Sequence, residues 1–226
     1  MPAALAEAVR LLFSGDSQLT GIVLVTLRMT LISSFTALLL GAPLGALYAL
    51  SHFPLRRSLI VLNRTLMGLP PVVCGLVCYL LFSGVGPLRA LKLMYTVNGM
   101  IIAQVILITP IIAGMTESYI SGIAPQVLET AKGLGLSRAK TLLLTLNDSR
   151  SQLISTYLLG FGRAMAEVGA VSMVGGAIAY KTNVMTTAIM QYTNMGNFTM
   201  ALALGILLLA ISLIVNLAAQ LLNRRR

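Results

Sequence analysis

The stretch that decides the fold is Leu19–Leu50, LTGIVLVTLRMTLISSFTALLLGAPLGALYAL, in which Arg28 is the only charged residue. A bilayer core of about 30 Å needs about 20 consecutive apolar residues in a helix. This run is longer than that, so it reads as a tilted or kinked crossing, with Gly41, Pro43 and Gly45 as the expected interruption. Working outward, four more such runs recur at about 59–82, 97–119, 152–178 and 199–222. The whole chain is 57% hydrophobic and only 10% charged, against about 25% charged in a soluble domain. It is therefore expected to be an all-α integral membrane protein with about five transmembrane helices, forming one membrane domain over 19–223.

Residues 1–18 read as a short amphipathic segment. Leu5, Val9, Leu12 and Phe13 share a face, while Glu7, Arg10 and Asp16 deny it the apolar centre of a cleavable signal. The net charge of +10 would suggest nucleic acid in a soluble protein. Here the cations flank apolar runs and report orientation, so no nucleic acid is implied. One side collects ten of them: Arg56, Arg57, Arg64, Lys132, Arg138, Lys140, Arg150 and Arg224–Arg226. The other collects four: Arg10, Arg89, Lys92 and Lys181. The positive-inside rule then places the N-terminus outside and the C-terminus in the cytoplasm. Arg28 reads as a cation snorkelling from the outer half of the first span, or as one that attracts an arriving anion.

The segment 121–150 is polar, carries both signs of charge and cannot cross. Pro125 suits the first turn of a helix, Glu129 complements its dipole, and Gly133 and Gly135 end it. Ser137 is placed to cap a second helix. Val127, Leu128, Ala131 and Leu134 give the first helix an apolar face. Two readings are open: the helix lies on the bilayer, or it docks in a groove of another protein.

Inside the fourth span, Arg163 and Glu167 stand one turn apart. Each would be costly alone at about 2.5–3.5 kcal/mol or more, and the spacing suggests a pair. Gly162, Ala166, Gly169 and Ala170 make a strip of small residues beside it, expected to pack at a close helix crossing in a dimer. Pro70-Pro71 and Pro110 interrupt helical hydrogen bonding at depth, and such breaks border transport paths in many carriers. Cys74 and Cys78 read as inert buried thiols. With His52 the only histidine and six acids in all, there is no ligand-spaced cluster for a metal and little for acid–base chemistry. No G-x-x-x-x-G-K-[ST] is present.

Two motifs carry a family resemblance. Glu129-Thr130-Ala131-Lys132-Gly133-Leu134-Gly135 resembles the E-A-A…G coupling motif of ABC importer permeases, with Thr130 in place of the first Ala and Asn147-Asp148 where Leu-Pro is usual. Gly160–Ala170 with Val174-Gly175-Gly176, Val184–Ile189, and Gly68–Leu76 resemble the oxyanion branch, tungstate permeases above all, with molybdate and sulfate relatives near. The resemblance implies a type I importer permease in a bacterial or archaeal inner membrane. It further implies a second copy, a cytoplasmic ATPase that holds ATP and magnesium, an external oxyanion-binding protein, and no cofactor in this chain. Glu129, Thr130, Ala131, Gly133, Leu134 and Gly135 would then contact the ATPase. Arg163, Glu167, Pro70, Pro71, Gly162 and Gly169 are the expected pathway or gate. The competing classes are a gradient-driven secondary transporter, which would need internal repeats and ion-binding acids, and a membrane scaffold.

Overall fold

The computed structural model describes Arg10, residues 17–51 and residues 53–224, the last six of these by backbone alone. The amphipathic segment expected over 1–18 falls outside the described residues except for Arg10, Ser17 and Gln18, as do His52, Arg225 and Arg226.

All regular elements among the described residues are helical. They are α1 (Ser17–Leu50), α2 (Arg56–Met67), α3 (Pro71–Phe82), a 3-10 turn (Arg89–Leu91), α4 (Val97–Gly133), α5 (Arg138–Asp148), α6 (Arg150–Met165), α7 (Gly169–Gly175), α8 (Met185–Asn194) and α9 (Phe198–Arg224). α1, α4 and α9 are each long and apolar enough to cross a bilayer. At 1.5 Å per residue, α1 and α4 measure about 51 and 55 Å, so both project beyond the hydrocarbon core.

α1 is built with its leucines outward. Leu24 is 61% exposed and Phe35 55%, whereas Ser33, Ser34 and Ala37 are fully buried. In water this pattern would be unstable. In lipid, tails solvate the leucines, and small or hydroxylated residues let helix backbones meet. α1 runs parallel to α4: Ser33 meets Gln104, Gly41 lies against Thr109 and Ile112, and Gly45 lies against Ala113, Thr116 and Glu117. α1 continues unbroken through Gly41, Pro43 and Gly45. The two glycines instead seat α4 so closely that a Cβ on Gly45 would lie 2.8 Å from Thr116 Cβ and 2.9 Å from Glu117 N.

Two expected spans are broken. The run over 59–82 is two helices, α2 and α3, bent by 101° at Gly68-Leu69-Pro70. Pro70 and Pro71 have no N–H to continue the ladder of α2, and Pro71 instead starts α3. The run over 152–178 is α6 and α7, bent by 56° at Ala166–Val168. Counting each bent pair as one crossing gives five. The first turns of α1 and of α9 share one apolar cluster around Met185 and Ala188 of α8, through Leu19, Ile22, Ala203 and Leu204.

One further element departs from the sequence reading. Pro125 does not start a helix but lies inside α4, which runs on to Gly133. A proline costs one backbone hydrogen bond, and the freed Ser121 carbonyl belongs to a partly exposed turn. The segment 179–198, which separates the last two apolar runs, contains α8, whose Met185, Thr187 and Ala188 are completely buried, as is Val184 just before it.

Candidate functional site: a terminal hairpin and two adjoining helix breaks

At the end where α1 finishes, α4 turns into α5. Gly133 is the last residue of α4, and Gly135 adopts φ +63°, the left-handed conformation that lets Leu136 N reach back to Ala131 O at 2.9 Å. Ser137 caps α5 as expected, its Oγ accepting from Lys140 N at 3.4 Å. Glu129, Thr130, Gly133 and Gly135 are exposed, Leu134 is 68% exposed, and Ala131 is buried at 6%. The hairpin therefore presents the coupling-motif residues outward and seats Ala131 inward as the contact with its own α5. Leu143 and Leu144 of α5 are also exposed.

α4 links this hairpin to the interior. Glu117, three turns before Glu129, is buried at 7% of its side chain and accepts from Arg64 Nη2 at 3.3 Å and Ser121 Oγ at 3.2 Å. Arg64 belongs to α2, as does Asn63, whose Nδ2 donates to Pro110 O at 3.0 Å. α2 is thus held by polar contacts near the middle of α4, while its Val61 and Leu62 face outward.

The two breaks lie side by side. A Cβ on Gly169 would meet Val72 Cγ2 at 2.9 Å, and one on Gly75 would meet Ala170 Cα at 2.7 Å. Each contact involves the first turns of a helix that restarts after a break. Gly169 and Ala170 are therefore used within the chain, against α3. Gly162 remains open, with nothing within 4 Å of an added Cβ, and Ala166 is exposed. The continuous strip expected for a dimer contact is divided between these two uses.

Arg163 and Glu167 do not pair. α6 ends at Met165, so the rotation between them is no longer that of one helix. Arg163 points outward and is exposed. Glu167 is buried at 6%; its Oε1 accepts from Ala170 N at 3.1 Å, and its carbonyl accepts from Thr186 Oγ1 at 2.8 Å. The carboxylate caps the restart of α7. Pro70 is exposed with an extended backbone, φ −61° and ψ 128°, and Pro71 is half-buried.

Sequence reasoning missed the polar clasp that holds these pieces. Gln104 is fully buried in α4; it accepts from Ser33 Oγ at 2.6 Å and donates through Nε2 to Ala164 O at 2.8 Å, a carbonyl in the last turn of α6. It joins α1, α4 and the end of α6. A lone glutamine inside an apolar run was the available signal. Thr26 Oγ1 of α1 accepts from Met185 N at 2.9 Å and caps α8. Asn183 Oδ1 accepts from Thr187 Oγ1 at 2.7 Å, and Asn183 Nδ2 donates to Gln191 Oε1 at 2.9 Å. These threonines are too common in membrane helices to have stood out. Among the described residues no group of His, Cys, Asp and Glu could hold a metal ion.

Parallel α1 and α4, two bent spans and a terminal hairpin make up a fold shared with chains of solved ABC transporters. A chain of the MetNI methionine ABC transporter superposes with a TM-score of 0.77 at 19% identity, covering 92% of this chain and 95% of that one. A chain of a bacterial ABC transporter involved in importing the acidic polysaccharide alginate superposes with a TM-score of 0.75 at 19% identity, covering 96% and 82%. At these identities the likeness concerns the fold alone.

Residues 37–226 match the family described as binding-protein-dependent transport system inner membrane component, and the chain belongs to it. The tungstate uptake system permease protein of Peptoclostridium acidaminophilum is 35% identical over 209 residues, 92% of each chain. The same-named protein of Campylobacter jejuni is 35% identical, covering 96% of this chain and 91% of its own. A probable anion ABC transporter permease protein of Haloferax volcanii is 32% identical, covering 89% and 90%.

Proposed function

We propose that the chain is the permease subunit of an ATP-driven importer whose cargo is an oxyanion, tungstate first, with molybdate and sulfate as the alternatives. The observation that carries this is the 35% identity to a tungstate permease along 92% of both chains. The subunit is non-catalytic. It works as two copies, with a cytoplasmic ATPase that holds ATP and magnesium and an external binding protein that delivers the anion. The hairpin end, with Arg56, Arg57, Lys132, Arg138, Lys140 and Arg150, lies in the cytoplasm. The N-terminus lies outside.

In this reading the exposed face formed by Glu129, Thr130, Gly133, Leu134 and Gly135 docks on the ATPase, with Ala131 fixing the hairpin from within. Arg163 faces the path between the two copies, where an exposed cation beside a helix break meets the passing anion. Glu167, Gly169, Pro70 and Pro71 hold the two breaks together, and Gly162 gives the second copy room. ATP binding at the partner moves the hairpin, and α4 carries the movement to α2 through Glu117–Arg64 and to the α6 break through Gln104.

A gradient-driven carrier would need a deep acid free to take up an ion. The two acids buried among the described residues, Glu117 and Glu167, are already engaged. The decisive assay is labelled tungstate uptake in cells expressing the chain with its ATPase and binding protein. Uptake that stops on ATP depletion and survives a protonophore is expected. Uptake that survives ATP depletion and stops with the protonophore overturns the proposal.

A further inference from the structure

The hairpin of α4 and α5 carries two grooves on neighbouring faces of the last turns of α4, separated by buried Ala131. One, of about 350 Å³, runs between Thr130, Leu134, Leu144 and Asp148. Among the described residues its only charged wall is acidic. The other, of about 520 Å³, is bounded on one side by Leu47 and Leu50 of α1 and the following Ser51, and on the other by Leu128, Lys132 and Arg138. Its charged walls are both basic, and neither cation forms an ion pair among the described residues.

The second groove sits where the lipid-facing surface ends. The exposed apolar residues of α1 continue from Leu24 through Phe35 and Leu39 to Leu47, and Leu47 is itself a wall of the groove. An apolar trough continuous with this exposed face, and carrying two cations without an ion pair among the described residues, complements a molecule with an apolar tail and an anionic head. Its volume falls in the range of ligand pockets, about 300–1,000 Å³. Basic pockets between spans on the cytoplasmic side hold anionic headgroups. We infer that this groove is a binding site for one anionic phospholipid, its acyl chain against Leu47, Leu50 and Leu128 and its phosphate between Lys132 and Arg138. A soluble anion would leave the apolar wall unused. The acidic groove on the other face stays free for a protein partner. A lipid wedged between α1 and the hairpin sets how far the hairpin can swing.

The test uses the full chain in phosphatidylethanolamine vesicles containing a phosphatidylglycerol probe with a photoreactive acyl chain. Cross-links are mapped by peptide mass spectrometry. Labelling is expected within 47–51 and 128–142. K132Q/R138Q should lower it roughly 30-fold, the weight of two cations against an anionic surface. K132R/R138K should keep it, and Ala139→Trp, which fills the groove with both charges intact, should abolish it. Equal labelling by a phosphatidylcholine probe overturns the inference, as does labelling spread evenly along Leu24–Leu39. Competition by inorganic phosphate would show a free-anion site and overturn it, and loss of labelling when an ATPase is added would assign the groove to that protein instead. The labelling is read without transport, so its failure leaves the importer assignment untouched.

Discussion

Gly45→Ala is the substitution that most directly tests the parallel contact of α1 and α4. The added methyl would point at Ala113 O, stand 2.8 Å from Thr116 Cβ and 2.9 Å from Glu117 N. Two of these are backbone atoms in mid-helix, which cannot swing aside as a side-chain end can, so the helices must separate. Overpacking a tight site costs about 1–3 kcal/mol, and three contacts under 3.0 Å put this one near the upper figure. Replacing glycine in a helix interior returns about 1 kcal/mol. The net loss is about 2 kcal/mol, or roughly 4–8 °C in Tm for a chain of this size. Two other glycines of α1 calibrate the measurement. At Gly41 the nearest atoms are Thr109 O at 2.9 Å and Ile112 Cβ at 3.0 Å, so Gly41→Ala should lose less. At Gly21 nothing lies within 4 Å, so Gly21→Ala should be neutral or slightly stabilising. Thermal unfolding of the three variants in one detergent gives the order. If Gly45→Ala melts with Gly21→Ala, the close approach of the two helices is wrong.

Gln104→Leu removes two buried hydrogen bonds, from Ser33 Oγ and to Ala164 O, at about 0.5–1.5 kcal/mol each, read as a lowered midpoint in the same melts. Thr26→Val removes the acceptor for Met185 N; a loss of about 1 kcal/mol should come with faster amide exchange in the first turn of α8. Gly135→Val forces a branched residue to φ +63° and should weaken ATPase co-purification while leaving the melting of the membrane helices nearly unchanged. Arg163→Gln and Glu167→Gln should differ in kind: the first lowers uptake at normal stability, the second lowers stability through the restart of α7, and their double variant should show no coupling beyond about 0.5 kcal/mol.

The three to five candidate crossings and the turn that ends α4 were legible because both rest on signals local in sequence. Runs of apolar residues gave the former; Gly133, Gly135 and Ser137 gave the latter, and each acts at the turn where it stands. What could not be read depends on which helix lies opposite. Gly41 and Gly45 look the same whether they bend α1 or receive α4, and only the neighbour decides. Arg163 and Glu167 are four apart on any helical wheel, but the wheel ends at Met165. The stretch 184–190 is mildly apolar, a property shared by surface loops and by a short helix sunk among α1 and α9; Thr26 reaching across to cap it decided the matter. Pro125 was read by its usual place in a first turn, where its missing N–H costs nothing, although one lost bond is also bearable near the end of a long helix.

The division of labour along α4 follows from which of its faces are closely packed. Toward α1 it offers Ala113, Thr116 and Glu117 at backbone range of a glycine, so the two parallel helices can move only as one piece. Toward α2 and α6 it combines close packing, Gly114 against Met67 and Ile108 and Ile112 against Gly160, with polar contacts: Glu117 with Arg64, the Pro110 carbonyl with Asn63, and Gln104 with the Ala164 carbonyl. Those partners belong to the two bent spans, whose second halves, α3 and α7, meet directly through Gly75, Ala170, Gly169 and Val72. A displacement entering at Gly133–Gly135 therefore reaches both bends through α4 without first breaking the packing between α3 and α7. Because α4 is seated against α1, α2 and α6 at neighbouring turns, one displacement of that helix acts on the two bent spans together.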